Sequence, residues 1–170
     1  MSLDLNAPDL AVIALGGNLP GAYPSMAAAL TAAAGKLSAA GFEVLAVSRW
    51  WGSAAWPDPA DPPFLNGVVL ARTALEPEAA LRALHGVEAV FGRDRARPNA
   101  PRTLDLDLIA LGRCVLEGPP LVLPHPRAAE RLFVMGPLAE IAPEWRHPVI
   151  GATAVQLASC ATIGQDAAPQ

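Results

Sequence analysis

Two aspartates separated by one leucine, Asp105 and Asp107, are the residues best suited to chemistry in this sequence. In an extended strand, side chains two positions apart project from the same face, so these carboxylates would stand about 7 Å apart. Such a pair can bind magnesium, which prefers oxygen ligands, and two magnesium ions can bridge the phosphates of a nucleotide. Taken alone, the pair also fits a solvated strand face, so its interpretation depends on its neighbours.

A cluster of arginines stands just before this pair, in a chain whose formal net charge is −4. Four of the 12 basic residues lie in the ten positions 93–102: Arg93, Arg95, Arg97 and Arg102. The planar guanidinium group suits bidentate contacts to phosphate. The alternative is a solvated loop whose arginines pair with surface acids. Together, the arginines and the aspartates indicate phosphoryl or nucleotidyl transfer.

The surrounding sequence predicts the elements that position these residues. Apolar runs and helical spacing give, in chain order, strand 10–15, helix 26–37, strand 42–51, strand 64–72, helix 78–91 and strand 103–111. This order predicts an α+β fold with a ferredoxin-like βαββαβ core, an antiparallel sheet with helices packed on one face. The rest predicts a C-terminal extension with a short helix around 127–141 and a frayed tail after Cys160.

Two loops stand out between these elements. Residues 52–63 contain four prolines and cannot continue a strand ladder. Residues 93–101 form the arginine-rich loop. We expect both loops to close over substrates and to exclude water.

Composition limits the class of protein. With 170 residues, 52% hydrophobic and 16% charged, we expect one domain over residues 1–170, with a core at about 10–160. No run of about 18 uncharged apolar residues could cross a membrane, and residues 1–10 do not resemble a secretory signal, so we expect a cytoplasmic protein. The negative charge provides no attraction for nucleic acid or a lipid surface. We further expect a monomer or a weak dimer, with two separate thiols, Cys114 and Cys160.

The segment Pro101-Arg-Thr-Leu-Asp-Leu-Asp107 resembles the signature of the 6-hydroxymethyl-7,8-dihydropterin pyrophosphokinase family. Further segments resemble family motifs in the same order: Leu15-Gly-Gly-Asn-Leu19, Phe64-Leu-Asn66, Glu88 with Gly92-Arg-Asp-Arg95, and Leu123-Pro-His-Pro-Arg127 with Arg131-Leu-Phe133. The resemblance spans about residues 10–145. It implies the ferredoxin-like fold and an enzyme of folate biosynthesis that transfers pyrophosphate from ATP to the hydroxymethyl-dihydropterin, releases AMP and uses two magnesium ions.

The resemblance also implies roles for individual residues on the nucleotide side. Asp105 and Asp107 would be the metal ligands, and Arg93 and Arg102 would be catalytic groups that stabilise charge on the transferring group. The ATP-binding residues would be Glu88, Arg95, Leu108, His125 and Arg131.

On the other side, the resemblance implies a pocket for the pterin ring. Phe64 and Phe133 would sandwich the ring, and Asn66 would hydrogen-bond its amide edge. The pocket would be completed by Ser53, Ala54 and Trp56.

One departure from the family pattern concerns this pocket. Members commonly have Arg-Trp-Gly before the signature, whereas this chain has Arg97-Pro-Asn-Ala100, so the aromatic clamp from that loop is missing. Trp56 is a candidate replacement. We expect the departure to affect pterin affinity and loop closure more than the reaction itself.

Two other functions stay open. One is a ferredoxin-like nucleotidyl transferase or cyclase that uses the same aspartates on another acceptor, which would not need Asn66 and the two phenylalanines. The other is a non-catalytic ligand-binding module, against which the intact arginines and aspartates argue.

Overall fold

The computed structural model describes residues 2–55, 58–93 and 104–170. The elements, in chain order, are β1 (Leu10–Gly17), α1 (Met26–Lys36), a 3₁₀ turn (Ser38–Ala40), β2 (Glu43–Val47), β3 (Trp51–Ser53), β4 (Phe64–Arg72), α2 (Pro77–Val90), β5 (Asp105–Leu111), a second 3₁₀ turn (Ala128–Glu130), α3 (Leu132–Ile141), α4 (Ala154–Cys160) and β6 (Ala168–Pro169). The predicted α+β, ferredoxin-like order is therefore confirmed.

The strands form one sheet in the order β5-β1-β4-β3-β6, with β2 also paired to β4. Every pairing is antiparallel. The strand predicted at 42–51 is instead two short strands, β2 and β3. Between them the Ser48 hydroxyl accepts a hydrogen bond from the backbone N–H of Val68 at 2.9 Å. This buried side-chain contact replaces part of the regular ladder.

Alternating side chains place apolar residues on both faces of the sheet. On β4, Val69 and Ala71 belong to the core cluster under α1 and α2. Val68 and Leu70 face the opposite way, into a second cluster with α3 and α4. The two helices of the predicted core thus share one face, and the C-terminal extension covers part of the other.

Helix starts follow capping rules. The Ser25 hydroxyl accepts from the N–H of Ala28 at 3.1 Å and begins α1. Proline stands at the first position of α2, where its missing N–H has no intrahelical partner to lose. Thr153 and Gln156 form a reciprocal capping box at α4.

The expectation of a frayed tail after Cys160 is wrong. Gly52 pairs with Ala168 and Trp51 with Pro169, so residues 168–169 add an edge strand to β3. An edge strand offers unpaired backbone groups, and a two-residue partner is too short to leave a periodic signal in the sequence. Among the described helices, none has the length and apolar character needed to cross a membrane.

Candidate active site

A cleft of about 700 Å³ lies on the α3 face of the sheet. Eight of the residues that sequence reasoning assigned to the site line it: Ser53, Ala54, Phe64, Asn66, Asp105, Asp107, Arg131 and Phe133. The fold therefore brings both halves of the predicted site, the carboxylate pair and the ring pocket, into one cavity.

Strand parity places the carboxylates in the cleft. Asp105 and Asp107 face it, whereas Leu106 between them is 1% exposed and belongs to the core under α1 and α2. The β1–β5 register shifts between Val12 and Ile13, a bulge beyond the two aspartates, so both share one face as predicted.

The strand register aligns the two halves of the site. Asp105 pairs with Gly16 across β5 and β1, and Gly16 pairs with Asn66 across β1 and β4. With strands about 4.8 Å apart, the backbones of Asp105 and Asn66 are about 10 Å apart. A Cβ atom at position 16 would lie 2.4 Å from Oδ1 of Asn66, so glycine leaves the space that this amide occupies.

The two carboxylates experience different electrostatic surroundings. Burial, followed by the negative charge of Asp105, raises the pKa of Asp107 from 3.8 to about 6. The charges of Arg131 and Arg93 oppose this shift without cancelling it. Asp105 instead accepts a hydrogen bond directly from Arg93. Asp105 therefore has a cationic partner in Arg93, whereas burial opposes the ionisation of Asp107.

Arg93 binds Asp105 from beside the cleft. Its Nη1 also donates to Oε1 of Glu88 at 3.1 Å and to the carbonyl of Leu104 at 3.3 Å. Burial lowers the pKa of this guanidinium, but the hydrogen bond and charge of Asp105 outweigh burial and raise it. Arg93 is thus a permanently charged partner of a carboxylate, and its catalytic role stays a prediction.

Two predicted ATP-binding side chains are buried below the sheet rather than in the cleft. Glu88 is 1% exposed, and its carboxylate accepts from the N–H of Leu106 at 2.8 Å. Leu108 is 2% exposed and belongs to the apolar core. Neither side chain lines the described cleft, and the ATP-binding roles of Glu88 and Leu108 stay a prediction. Helix spacing turns Glu88 inward, and strand alternation turns Leu108 away from Asp107.

His125 lies close to the carboxylate strand. Its backbone N–H donates to the carbonyl of Ile109 at 2.8 Å, and its Nδ1 accepts from the N–H of Arg127 at 3.2 Å. Burial, followed by the charge of Arg131, lowers the pKa of His125. The ring is therefore neutral at pH 7, with its proton on Nε2, where it can donate to a nucleotide oxygen.

The ring half of the cleft is built from apolar packing. Cζ of Arg131 lies 5.8 Å from the centroid of the Phe133 ring, so this cation connects the ring half to the carboxylate half. Phe64, on β4, lines the cleft on the sheet side. Among the described residues, no ring pair joins Phe64 to Phe133.

Three predicted site residues, Trp56, Arg95 and Arg102, lie outside the described residues. So do Arg97 and most of the 93–101 loop, and its expected closure stays a prediction.

Sequence reasoning missed several residues that line the cleft. They are Arg127, Thr162, Ile163, Gly164 and Asp166. The signal for Arg127 was present in the His-Pro-Arg motif. The last four fall in the tail expected to fray, and no motif marks them.

The chain is similar in sequence to proteins of one known family. Residues 12–143 match the family described as 7,8-dihydro-6-hydroxymethylpterin-pyrophosphokinase (HPPK). The 2-amino-4-hydroxy-6-hydroxymethyldihydropteridine pyrophosphokinase of Synechocystis is 43% identical over 147 residues, covering 86% of this chain and 73% of that protein. Its counterpart in Methylorubrum extorquens is 38% identical over 135 residues, covering 79% and 83%.

Solved structures support the same fold. A crystal structure of Plasmodium falciparum HPPK-DHPS with pteroate has a TM-score of 0.66 at 12% identity, covering 88% of this chain. The wild-type protein in another crystal structure has a TM-score of 0.67 at 13% identity. This chain spans less than half of those chains, 42% and 44% of their length, so the likeness concerns the fold alone.

Proposed function

Because the chain belongs to the 7,8-dihydro-6-hydroxymethylpterin pyrophosphokinase family, we propose that it transfers pyrophosphate from ATP to 6-hydroxymethyl-7,8-dihydropterin, releasing AMP in folate biosynthesis. One observation supports this most. A carboxylate pair and a ring pocket share one cleft, and Asp105, Gly16 and Asn66 stand in one row across its floor.

The reaction is a direct in-line transfer. The hydroxymethyl oxygen of the pterin forms a bond to the β-phosphorus of ATP, the bond from that phosphorus to the bridging oxygen breaks, and AMP leaves with that oxygen. The hydroxyl proton passes to solvent. Such transfers need little covalent help from the protein, so positioning and charge stabilisation supply most of the rate.

Residues on the ring half would hold the acceptor. A flat pterin would lie between Phe64 and Phe133, and the Asn66 amide would present both a donor and an acceptor to its edge. In this arrangement the hydroxymethyl group would point along the row through Gly16 towards the aspartates.

On the other half, basic groups would hold the phosphates. Arg131 lies between the ring and the carboxylates, and Arg127 also lines the cleft. Neutral His125 would donate from Nε2. Arg93 would act by orienting the Asp105 carboxylate, to which it donates a hydrogen bond. From the family resemblance, Arg95 remains a proposed ATP ligand and Arg102 a proposed catalytic group that stabilises charge on the transferring group.

We also propose magnesium as the cofactor, in two ions, held by Asp105 and Asp107. Within the described ranges, no group of three His, Cys, Asp or Glu side chains could hold a metal. Two carboxylates without a full protein cage suit an ion that takes its remaining ligands from phosphate and water. When bound, magnesium would supply positive charge to neutralise the polyphosphate.

Location and assembly are proposals as well. We propose a cytoplasmic location, because ATP is available there, and a monomeric state. Sedimentation of the purified protein would test the assembly state, and a dimer sharing cleft residues would contradict it.

The function is tested by product analysis. The purified chain is incubated with ATP, magnesium and 6-hydroxymethyl-7,8-dihydropterin, and nucleotides and pterins are separated by chromatography. We expect AMP and pterin diphosphate in equal amounts, and no AMP when pterin is omitted. Formation of ADP, or of AMP without pterin, would contradict pyrophosphoryl transfer.

A further inference from the structure

Residues 161–170, here called the 161–170 segment, contact both walls of the ring half. They lie beyond residues 12–143, the part of the chain that matches the family. At the α3 wall, the N–H groups of Thr162 and Ile163 donate to the carbonyl of Glu130 at 3.1 and 2.9 Å. The carbonyl of Ile163 accepts from the N–H of Leu132 at 2.9 Å. The segment is therefore attached immediately before Phe133.

The same segment is also attached to β3, whose Ser53 pairs with Phe64 on β4. Oδ2 of Asp166 accepts from the backbone N–H of Ala54 at 2.6 Å, and both residues line the cleft. Beyond it, Ala168 pairs with Gly52, and the N–H of Gln170 donates to the carbonyl of Trp50 at 3.0 Å. These contacts hold the end of β3, where Ser53 and Ala54 form the pocket edge.

Between these attachments, the segment packs on the Phe133 ring. Gly164 has a φ of 68°, and a Cβ atom there would lie 2.5 Å from Cδ1 of Phe133. The N–H of Ala167 donates to the carbonyl of Gly164 at 2.9 Å, closing a turn that fixes this contact. The position of the Phe133 ring is therefore set by the segment as well as by α3.

We propose that the 161–170 segment sets the width of the pterin gap, and that Asp166 and Gly164 are positioning residues for the pterin ring. An aromatic ring between two others needs a gap of about 7 Å, because packed carbon atoms approach to about 3.5 Å on each side. The segment is bonded to the start of α3 and to β3, and Ser53 of β3 pairs with Phe64. It therefore fixes the spacing between Phe133 and Phe64 before substrate binds, which lowers the ordering cost of binding. The proposal rests on the function proposed above.

The role of Asp166 is tested by measuring KM for the pterin and KM for ATP separately. Asp166→Ala removes the acceptor for Ala54, so we expect KM for the pterin to rise roughly tenfold, as for one lost hydrogen bond to a charged group, with KM for ATP and kcat within about twofold. Asp166→Asn keeps a carbonyl acceptor and should restore most of the pterin KM. Unchanged pterin KM in Asp166→Ala, an equal rise in both constants, or failure of Asn to restore it would overturn the proposal.

Gly164 provides an independent test with a matched control. Gly164→Ala adds a methyl group against Phe133, whereas Gly151→Ala has a similar positive φ of 77° and nothing within 4 Å of its Cβ. Both variants carry the same kind of backbone strain, so a roughly tenfold rise in pterin KM confined to Gly164→Ala isolates the ring contact. Equal effects of the two substitutions would contradict this role. If Gly164→Ala does not fold, the two variants Asp166→Ala and Asp166→Asn alone test the proposal.

Assays of the wild-type chain distinguish a failure of the proposed function from a failure of the role proposed for the 161–170 segment. A wild-type chain that forms no AMP with the pterin refutes the proposed function. A wild-type chain that turns over, together with an Asp166→Ala variant that matches it, refutes only the role of the segment.

Discussion

The two halves of the cleft are stabilised in opposite ways. The carboxylate half places Asp105 and Asp107 side by side, and burial raises the pKa of Asp107 to about 6, so ionising it works against folding. The ring half consists of Phe64, Asn66 and Phe133, held by strand pairing, helix packing and the 161–170 segment. Substitution of Asp107 should therefore lose activity but gain stability, whereas substitutions on the ring half should lose both.

The largest effect is expected from Asp107→Ala. Loss of a metal-binding carboxylate removes several kcal/mol of charge stabilisation, so kcat for AMP release should fall roughly 10³-fold. The pterin KM should change little, because the ring half is untouched. Steady-state assays of AMP release provide both values. A kcat within tenfold of the wild-type value would contradict the assignment of Asp107 as a metal ligand.

Stability should change in opposite directions at the two aspartates. Without metal, Asp107→Asn should stabilise the protein at pH 8 by up to about 3 kcal/mol, the value of two pKa units, whereas Asp105→Asn loses its Arg93 partner and should destabilise it. A raised folded-state pKa means that ionisation costs stability above pH 6. This cost disappears as pH falls below the unfolded value of about 4.

Denaturant unfolding at pH 4, 6 and 8 checks this prediction. The gain from Asp107→Asn should be largest at pH 8 and should vanish near pH 4. A pH-independent difference, or destabilisation at both positions, would show that the two carboxylates do not differ as described.

The ring half can be probed through Gly16. Gly16→Ala would push the Asn66 amide from its place, so we expect the pterin KM to rise roughly tenfold. Gly35→Ala is the matched control, because nothing lies within 4 Å of that Cβ and alanine favours helix α1 by about 1 kcal/mol. Gly35→Ala should raise the melting temperature and leave the pterin KM unchanged. Equal pterin KM values for the two variants would show that Asn66 does not contribute to pterin binding.

The smallest effect is expected at Glu140, which ties α3 to β3. Its carboxylate accepts from the N–H of Arg49 at 2.9 Å and from Nε1 of Trp51 at 3.1 Å. Burial raises the pKa of Glu140, but these hydrogen bonds outweigh burial and lower it. Glu140→Gln should cost about 1 kcal/mol at pH 7 in denaturant unfolding.

The stability change caused by Glu140→Gln should also depend on pH. A lowered folded-state pKa stabilises the protein above the unfolded value of about 4.3, and this contribution is lost as pH falls through the folded value. The Glu140→Gln penalty should therefore shrink below pH 4, the opposite sign to Asp107→Asn. A penalty that grows on acidification would contradict the assignment.

Local sequence patterns predicted much of the fold and of the carboxylate half. Period-two alternation placed Asp105 and Asp107 on one face, and helical spacing gave α1 and α2 within a few residues. The inward turn of Glu88 depended on tertiary packing: its carboxylate satisfies the N–H of Leu106, 18 positions away. The 161–170 segment is held by backbone contacts to β3 and α3 and by one side-chain acceptor, Asp166, and these contacts leave no periodic pattern in the sequence. Its role therefore became visible only in the structure.

The central claim is that one cleft holds metal and phosphates at Asp105 and Asp107 while the pterin lies between Phe64 and Phe133. A crystal structure with manganese, an unreactive ATP analogue and the pterin tests it most directly, because manganese is located by its anomalous signal. We expect manganese bound to both carboxylates, and the hydroxymethyl oxygen in line with the β-phosphorus. Manganese bound elsewhere, or a pterin ring outside the phenylalanine pair, would contradict the account.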